Sequence, residues 1–417
     1  MRLATAVALA VVLAALGGAV AFALLGGSGG GSLAVRWTSD TAVSVEGNHH
    51  AVAAGRVANR SLVFVPRSGS HDTTECALIA LDAGSGSEAW RHRVPPGDCW
   101  IHSLATLTLG DYDGDGVREV VAPTTENVVY AFDPATGAVE LEHDLSAYGY
   151  SPAVVGHLLG GSRRQVAVAD AKGTVYVLYP NGTAAWTDDG GSYVWAPPAL
   201  ADFTAGPGNE LAVGFGGGYV RVYRPSGDVA WNASEPFDGS LTWMGTGDAN
   251  GDGKTDVAAA TTAGEVVVLD GRDGDVLWER DFGDVAAVDA FGDGDGDGRP
   301  EVYAVAGDGV LRALGAATGR VEWTTALTTG DVQMTPPPVL GDVDGDGRPE
   351  LVAVTNGGAV SVVDPSSGAV LAAYERDVPV WERATVADTD GDGADEIYVV
   401  YGDGRVVKLA YTGGSAS

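Results

Sequence analysis

Apolar and polar residues alternate along this chain in short runs, without the stripes of a helix. Val128-Val129-Tyr130-Ala131-Phe132 leads into the turn Asp133-Pro134-Ala135-Thr136-Gly137, and Val266-Val267-Val268-Leu269 leads into Asp270-Gly271-Arg272-Asp273-Gly274. Val360-Ser361-Val362-Val363 likewise runs into Asp364-Pro365-Ser366-Ser367-Gly368. Apolar runs of this length, bounded by Asp, Pro and Gly, predict β-hairpins. The second strand of the hairpin repeatedly carries tryptophan, at Trp90, Trp186, Trp231, Trp278 and Trp323. No segment after residue 32 sustains a 3.6-residue period, so an all-β fold is expected.

A Gly/Asp-rich loop between two further strands precedes each hairpin. Aligned on its first position, the loop recurs at Arg56, Asp111, His157, Asp202, Asp248, Asp293, Asp342 and Asp388, spaced by 45 to 55 residues. That period and four strands per unit predict a β-propeller, which protects its sheet edges by circular repetition. The last unit, ending at Val406-Val407-Lys408-Leu409-Ala410-Tyr411, lacks a Trp-bearing outer strand. Leu33-Ala34-Val35-Arg36-Trp37-Thr38 resembles the missing strand, as comparison with Ala185-Trp186-Thr187 shows. Residues 33–39 are therefore expected to complete the eighth blade and close the ring.

Five of the loops carry acidic residues at alternate positions, a pattern able to converge on one hard cation if glycine lets the backbone curl. Side chains at positions 1, 3, 5 and 9 and the carbonyl at 7 make the expected ligand sets. These are Asp111, Asp113, Asp115, Val117 and Glu119; Asp248, Asn250, Asp252, Lys254 and Asp256; and Asp293, Asp295, Asp297, Arg299 and Glu301. Asp342, Asp344, Asp346, Arg348 and Glu350, then Asp388, Asp390, Asp392, Ala394 and Glu396, complete the series. All-oxygen, acidic ligation suits Ca²⁺, whereas Mg²⁺ takes fewer protein ligands and more water. The closing acid stands at position 9 rather than 12 and an apolar β-run follows, which excludes an EF-hand. About five structural Ca²⁺ ions are expected, and the copies at Arg56, His157 and Asp202 lack the ligand set.

At these loops the chain resembles the FG-GAP (VCBS) repeats of integrin α-subunit propellers, whose Asp-x-Asp-x-Asp-Gly-x-x-Asp loops carry calcium. The hairpins resemble quinoprotein-like propellers, with Ala80-Leu81-Asp82 and Trp90, and Ala131-Phe132-Asp133 with Thr136-Gly137, matching their repeat. The first resemblance implies seven blades and the second eight; the repeat count favours eight. A quinone dehydrogenase of the second class is expected to place an adjacent cysteine pair against its cofactor, and this chain has none. A non-enzymatic module is expected, with an exported propeller enzyme (quinone or polysaccharide chemistry) as the alternative.

Composition adds the setting. The net charge of −32, with lysine only at Lys172, Lys254 and Lys408, repels phosphate backbones and excludes nucleic acid as a partner. It also resembles the acidic surfaces of proteins from high-salt cells. Thr5 to Leu25 is apolar and long enough to span a bilayer, with Arg2 on the inner side. Residues 1–25 are read as a transmembrane anchor, 26–32 as a Gly/Ser linker and 33–417 as the propeller, placed on the extracellular side of the cell membrane. Cleavage after Ala21-Phe22-Ala23, giving a secreted protein, is the alternative. The sequons at Asn59, Asn181 and Asn232 suit export. Cys76 and Cys99 are open to two readings, a disulfide or two buried thiols.

Two further groups stand out. His49 and His50 with His102 form a candidate transition-metal or acid/base site, against ordinary loop histidines. His49, Tyr150, Trp195 and Trp381, with Trp100 and Trp243 nearby, are expected to ring one end of the central channel. They would pack between blades or offer a platform for an unidentified extracellular protein or glycan.

Overall fold

Strands of three to eight residues pair antiparallel into eight four-stranded sheets, which is the eight-bladed propeller expected rather than a seven-bladed one. The computed structural model describes residues 30–413 apart from 58, 162, 236 and 329–335. Blade 1 runs from its innermost to its outermost strand through Ala53–Val57, Arg60–Arg67, Ala77–Asp82 and Glu88–Arg93. Blades 2 to 7 repeat the order over 108–144, 154–189, 199–233, 241–281, 286–326 and 339–375. The anchor segment Thr5 to Leu25 lies outside the described residues. Among those residues no helix is long and apolar enough to cross a membrane.

The middle strands are mostly apolar because both faces of each blade are covered by neighbours. Leu62 and Phe64 pack toward blade 2, with Val120, Ala122 and Phe132, while Val63 and Val65 pack toward blade 8, with Tyr398 and Val400. Eight such clusters fill the eight boundaries of the ring. Each buried valine or leucine contributes roughly 1.5–3 kcal/mol. Outermost strands face solvent on one side and alternate accordingly, as in Val276–Asp281.

Tryptophans of the outermost strands lock six of the eight boundaries at the rim. Each indole N–H donates to a carbonyl in the outer hairpin turn of the next blade: Trp37 to Ala83, Trp90 to Pro134, Trp186 to Pro225, Trp231 to Gly271, Trp278 to Ala316 and Trp323 to Pro365, at 2.5–3.0 Å. The ring lies over the glycine of that turn. At Gly274 φ is +81° and a Cβ would come within 2.7 Å of Trp231, so only glycine serves both the turn and the contact. Two boundaries lack the indole. In blade 2 the place is taken by Leu141, which pairs with Ala131 as Trp90 pairs with Ala80. In blade 7 it is taken by Ala372, and the next blade has no outer turn there because the chain ends meet.

Blade 8 combines Thr385–Ala387, Glu396–Val400 and Val406–Thr412 with Ser32–Thr38, so the chain's start closes the ring as expected, one residue earlier at each end. Ser32 pairs with Thr412 and Thr38 with Val407. Deleting residues 30–38 removes both this strand and the Trp37 lock. The domain is expected to unfold or to oligomerise, read by size-exclusion chromatography and thermal melting; a monomer with unchanged melting would contradict the closure. Trp278→Ala is expected to cost about 3–5 kcal/mol.

Candidate functional site

Strand direction assigns the two faces. The acidic loops join innermost to second strands and share one face with the tryptophan-bearing turns. Segments entering each blade, which carry His49, His102, Tyr150, Trp195 and Glu382, lie on the other.

In the acidic loops, glycines at positions 4 and 6 turn the chain back on itself, with φ of +85° at Gly114 and +91° at Gly116. The acids fold each loop by accepting its own amides. Asp342 accepts from Gly345 and Gly347 at 2.8 and 2.9 Å, Asp344 from Asp346 at 3.0 Å and Asp346 from Arg348 at 2.9 Å. The Asp293 and Asp388 loops repeat the pattern. The result is a dense carboxylate cluster. One oxygen from each of Asp111, Asp113 and Asp115 lies within 4.8 Å of the other two; so do those of Asp293, Asp295 and Asp297, of Asp342, Asp344 and Glu350, and of Asp388, Asp390 and Glu396. Such crowding of like charges disfavours ionisation unless a cation sits among them.

The ninth position has a second role that the sequence reading did not anticipate. Its carboxylate accepts the amide of position 2: Glu119 from Tyr112, Asp256 from Ala249, Glu301 from Gly294, Glu350 from Val343 and Glu396 from Thr389, at 2.8–3.2 Å. Gln165 and Glu210 make the same bond in two degenerate loops. Position 9 therefore holds the loop's shape even where the acidic series is lost. Burial pushes Glu119, Glu301 and Glu350 up to about 7.

The five loops are not equal in what they offer a cation. Around Asp248 the third position is the neutral Asn250, both Asp256 oxygens take backbone amides (Ala249 and Gly271), and Asp252 pairs with Arg272 at 3.0 Å. In the last loop the buried Lys408 ammonium lies 2.6 Å from Glu396 Oε1 and already neutralises part of the cluster. At Asp111 the Arg164 guanidinium lies 3.2 Å from Oδ2, so the Asp293 and Asp342 loops, with no such counter-charge among the described residues, fit Ca²⁺ best.

On the opposite face a cavity of about 340 Å³ opens at the channel mouth. Four of the aromatic and histidine residues expected there line it: His49, Tyr150, Trp195 and Trp243. Trp100 instead lines a neighbouring pocket with Ile101, His102 and Tyr148. Trp381 lines neither cavity and lies against Gly402. Trp100, Ile101, Tyr148 and Trp195 are each more than 40% exposed, Trp195 at this cavity and the other three at the neighbouring pocket. Cys76 and Cys99 are bridged, with Cα atoms 5.4 Å apart, which pins the Trp100–His102 segment in place.

The channel also holds charges that sequence reading missed. Glu382 lines the cavity, accepts from Thr106 Oγ1 at 3.3 Å, and is pushed up to about 7 by burial despite neighbouring Arg383. Arg383 in turn pairs with Asp289 at 2.7 Å. Adjacent Glu-Arg just before the innermost strand has no counterpart at that position in the other blades, so no repeat signal marks it.

Family models match two stretches of the chain. Residues 76–252 match one described as outer membrane protein assembly factor BamB, and residues 293–353 match one described as an FG-GAP-like repeat. The chain is an eight-bladed propeller with a BamB-like stretch over 76–252 and an FG-GAP-like stretch over 293–353. Among solved structures, this propeller is similar to BamB from Moraxella catarrhalis (TM-score 0.62, 17% identity, 92% of this chain and 98% of that one). It is similar also to the V. cholerae biofilm matrix protein Bap1 (0.68, 14%, 91% of both chains) and to Saccharomyces cerevisiae Sqt1 (0.65, 10%, 90% and 100%). These likenesses are of fold. Comparison with curated proteins gives no match.

The propeller's Glu382 sets a pH dependence. Unfolded, a glutamate titrates near ~4.3, so the folded protein holds the extra proton between about 4.5 and 7 and loses stability as pH rises through that window. Glu382→Gln is expected to flatten part of this fall, by on the order of 1–3 kcal/mol. Melting curves of both proteins from pH 4.5 to 7.5 at fixed salt and calcium check it; parallel curves would contradict it.

Proposed function

We propose that the propeller is a calcium-stabilised binding or scaffold module, tethered outside the cell through residues 1–25, that engages an extracellular protein or glycan at its channel mouth. The exposed large apolar side chains Trp100, Ile101, Tyr148 and Trp195, at two pockets of one face, carry this reading. Exposed aromatic surface beside a concave, largely apolar opening is costly to leave in water and suits ligand stacking. The acidic loops sit on the other face, where calcium would brace the frame without touching the ligand. Asp111, Asp113 and Asp115, with the Val117 carbonyl and Glu119, would hold one ion, and the Asp293 and Asp342 loops would do the same.

Export is supported by the Cys76–Cys99 bridge, which forms in oxidising compartments, and by the exposure of Asn59, Asn181 and Asn232. A secreted form, cleaved after Ala23, would keep the same binding face. The family description as an outer membrane assembly factor and the fold shared with a biofilm matrix protein favour an assembly or matrix role over catalysis. The quinone alternative lacks the adjacent cysteine pair expected of it, since Cys76 and Cys99 stand 23 residues apart in sequence and bridge to each other.

Tryptophan fluorescence titrated with neutral, N-acetylated and uronate oligosaccharides tests the mouth. Quenching that a Trp100→Ala/Trp195→Ala double variant weakens at least tenfold is the expected outcome. A variant that binds as tightly as the unmodified protein would remove the mouth from the binding surface.

A further inference from the structure

His49 and His50 lie on the segment that enters blade 1, and His102 on the segment that enters blade 2. One ring nitrogen from each lies within 4.8 Å of those of the other two. The roles of the nitrogens follow from their partners. Nδ1 of His49 is 2.5 Å from the Gly47 carbonyl, which can only accept, so Nδ1 carries the proton and Nε2 the lone pair. That Nε2 faces Nδ1 of His102. His50 is only 3% exposed, and its Nε2 has no hydrogen-bond partner. A hydrogen bond between His49 and His102 satisfies two of the three free nitrogens and leaves a buried polar atom unpaired, which costs about 1–3 kcal/mol. One cation satisfies all three.

We propose that His49, His50 and His102 form a three-histidine site for a divalent late transition-metal ion of the Zn²⁺ type, with its remaining position open to the channel-mouth cavity. Neutral imidazoles select such ions, and a nitrogen set of this kind discriminates against the Ca²⁺ suited to the acidic loops. Tetrahedral Zn–N bonds of about 2.0–2.1 Å place ligand nitrogens about 3.3 Å apart, within reach of small side-chain rotations from the present spacing. The supports that orient metal-bound histidines are present. The Gly47 carbonyl fixes the tautomer of His49, and the Tyr150 ring packs against His50 and His102 at 5.3 and 4.9 Å. The Cys76–Cys99 bridge anchors the chain three residues before His102. Three protein ligands leave a position for water or a small anionic group of a ligand. The site stands independently of calcium and of the binding reading.

Protein carrying no affinity tag, stripped with chelator and dialysed against Zn²⁺ in excess Ca²⁺, tests the proposal. One Zn²⁺ retained per chain is expected, with affinity lost at least tenfold in His50→Ala and His102→Ala. Absence of stoichiometric zinc, or unchanged affinity in a variant that melts like the unmodified protein, would overturn it. Co²⁺ added to the unmodified protein supplies an arm that does not depend on variants. The intense visible bands of four-coordinate cobalt support the site, and the weak spectrum of aqueous cobalt overturns it.

Discussion

The indole lock across six of the eight blade boundaries is the contact on which the ring depends. A propeller blade cannot bury its two apolar faces alone, so its stability comes from neighbours, and neighbours must be held at a fixed angle for the ring to close. The tryptophan supplies that angle. Its N–H reaches a turn carbonyl of the next blade while its ring rests on a glycine whose backbone no other residue adopts as readily. The one boundary where the chain ends meet carries Ala372 instead, and the start of the chain repairs the closure by bringing Trp37 to blade 1.

A second ring of contacts lies on the same face. In five loops the residue at position 8 reaches back to the position-1 carbonyl of the preceding blade: Arg118 to Arg56, Arg164 to Asp111, Asn209 to His157, and the amides of Thr255 and Asp395 to Asp202 and Asp342; in the Asp293 and Asp342 loops it is Pro300 and Pro349, which have no N–H to give. The acidic loops are therefore links of a chain as well as clusters of charge. Ions held in them would stiffen the links, and the cost of leaving their carboxylates crowded would spread around the ring. The proposed binding face is the opposite one, where aromatic and histidine residues collect.

Much of this frame was legible in the sequence because it repeats. Loop spacing gave the blade count, and the likeness of Arg36-Trp37-Thr38 to other outer strands gave the closure. The unanticipated parts are those where one residue type serves two physical ends or occurs once. An acid at position 9 looks like a ligand, yet its amide bond to position 2 persists at Gln165. Lys408 reads as a residue of a terminal strand, and only burial shows it neutralising Glu396. Glu382 and Arg383 occur in a single blade, so periodicity is silent about them. Trp381 follows the spacing of the aromatic ring but lies against Gly402, because position along a strand does not fix which way a loop side chain turns.

The central claim is that calcium in the acidic loops braces the propeller. Metal analysis paired with thermal melting, with and without chelator, tests it most directly. About five Ca²⁺ per chain are expected, those of the Asp293 and Asp342 loops bound most tightly and that of the Asp248 loop most weakly. Each site is expected to add about 1.4–2.7 kcal/mol at ten- to hundred-fold excess over its Kd. A chain that binds no calcium and melts identically in chelator would contradict the account.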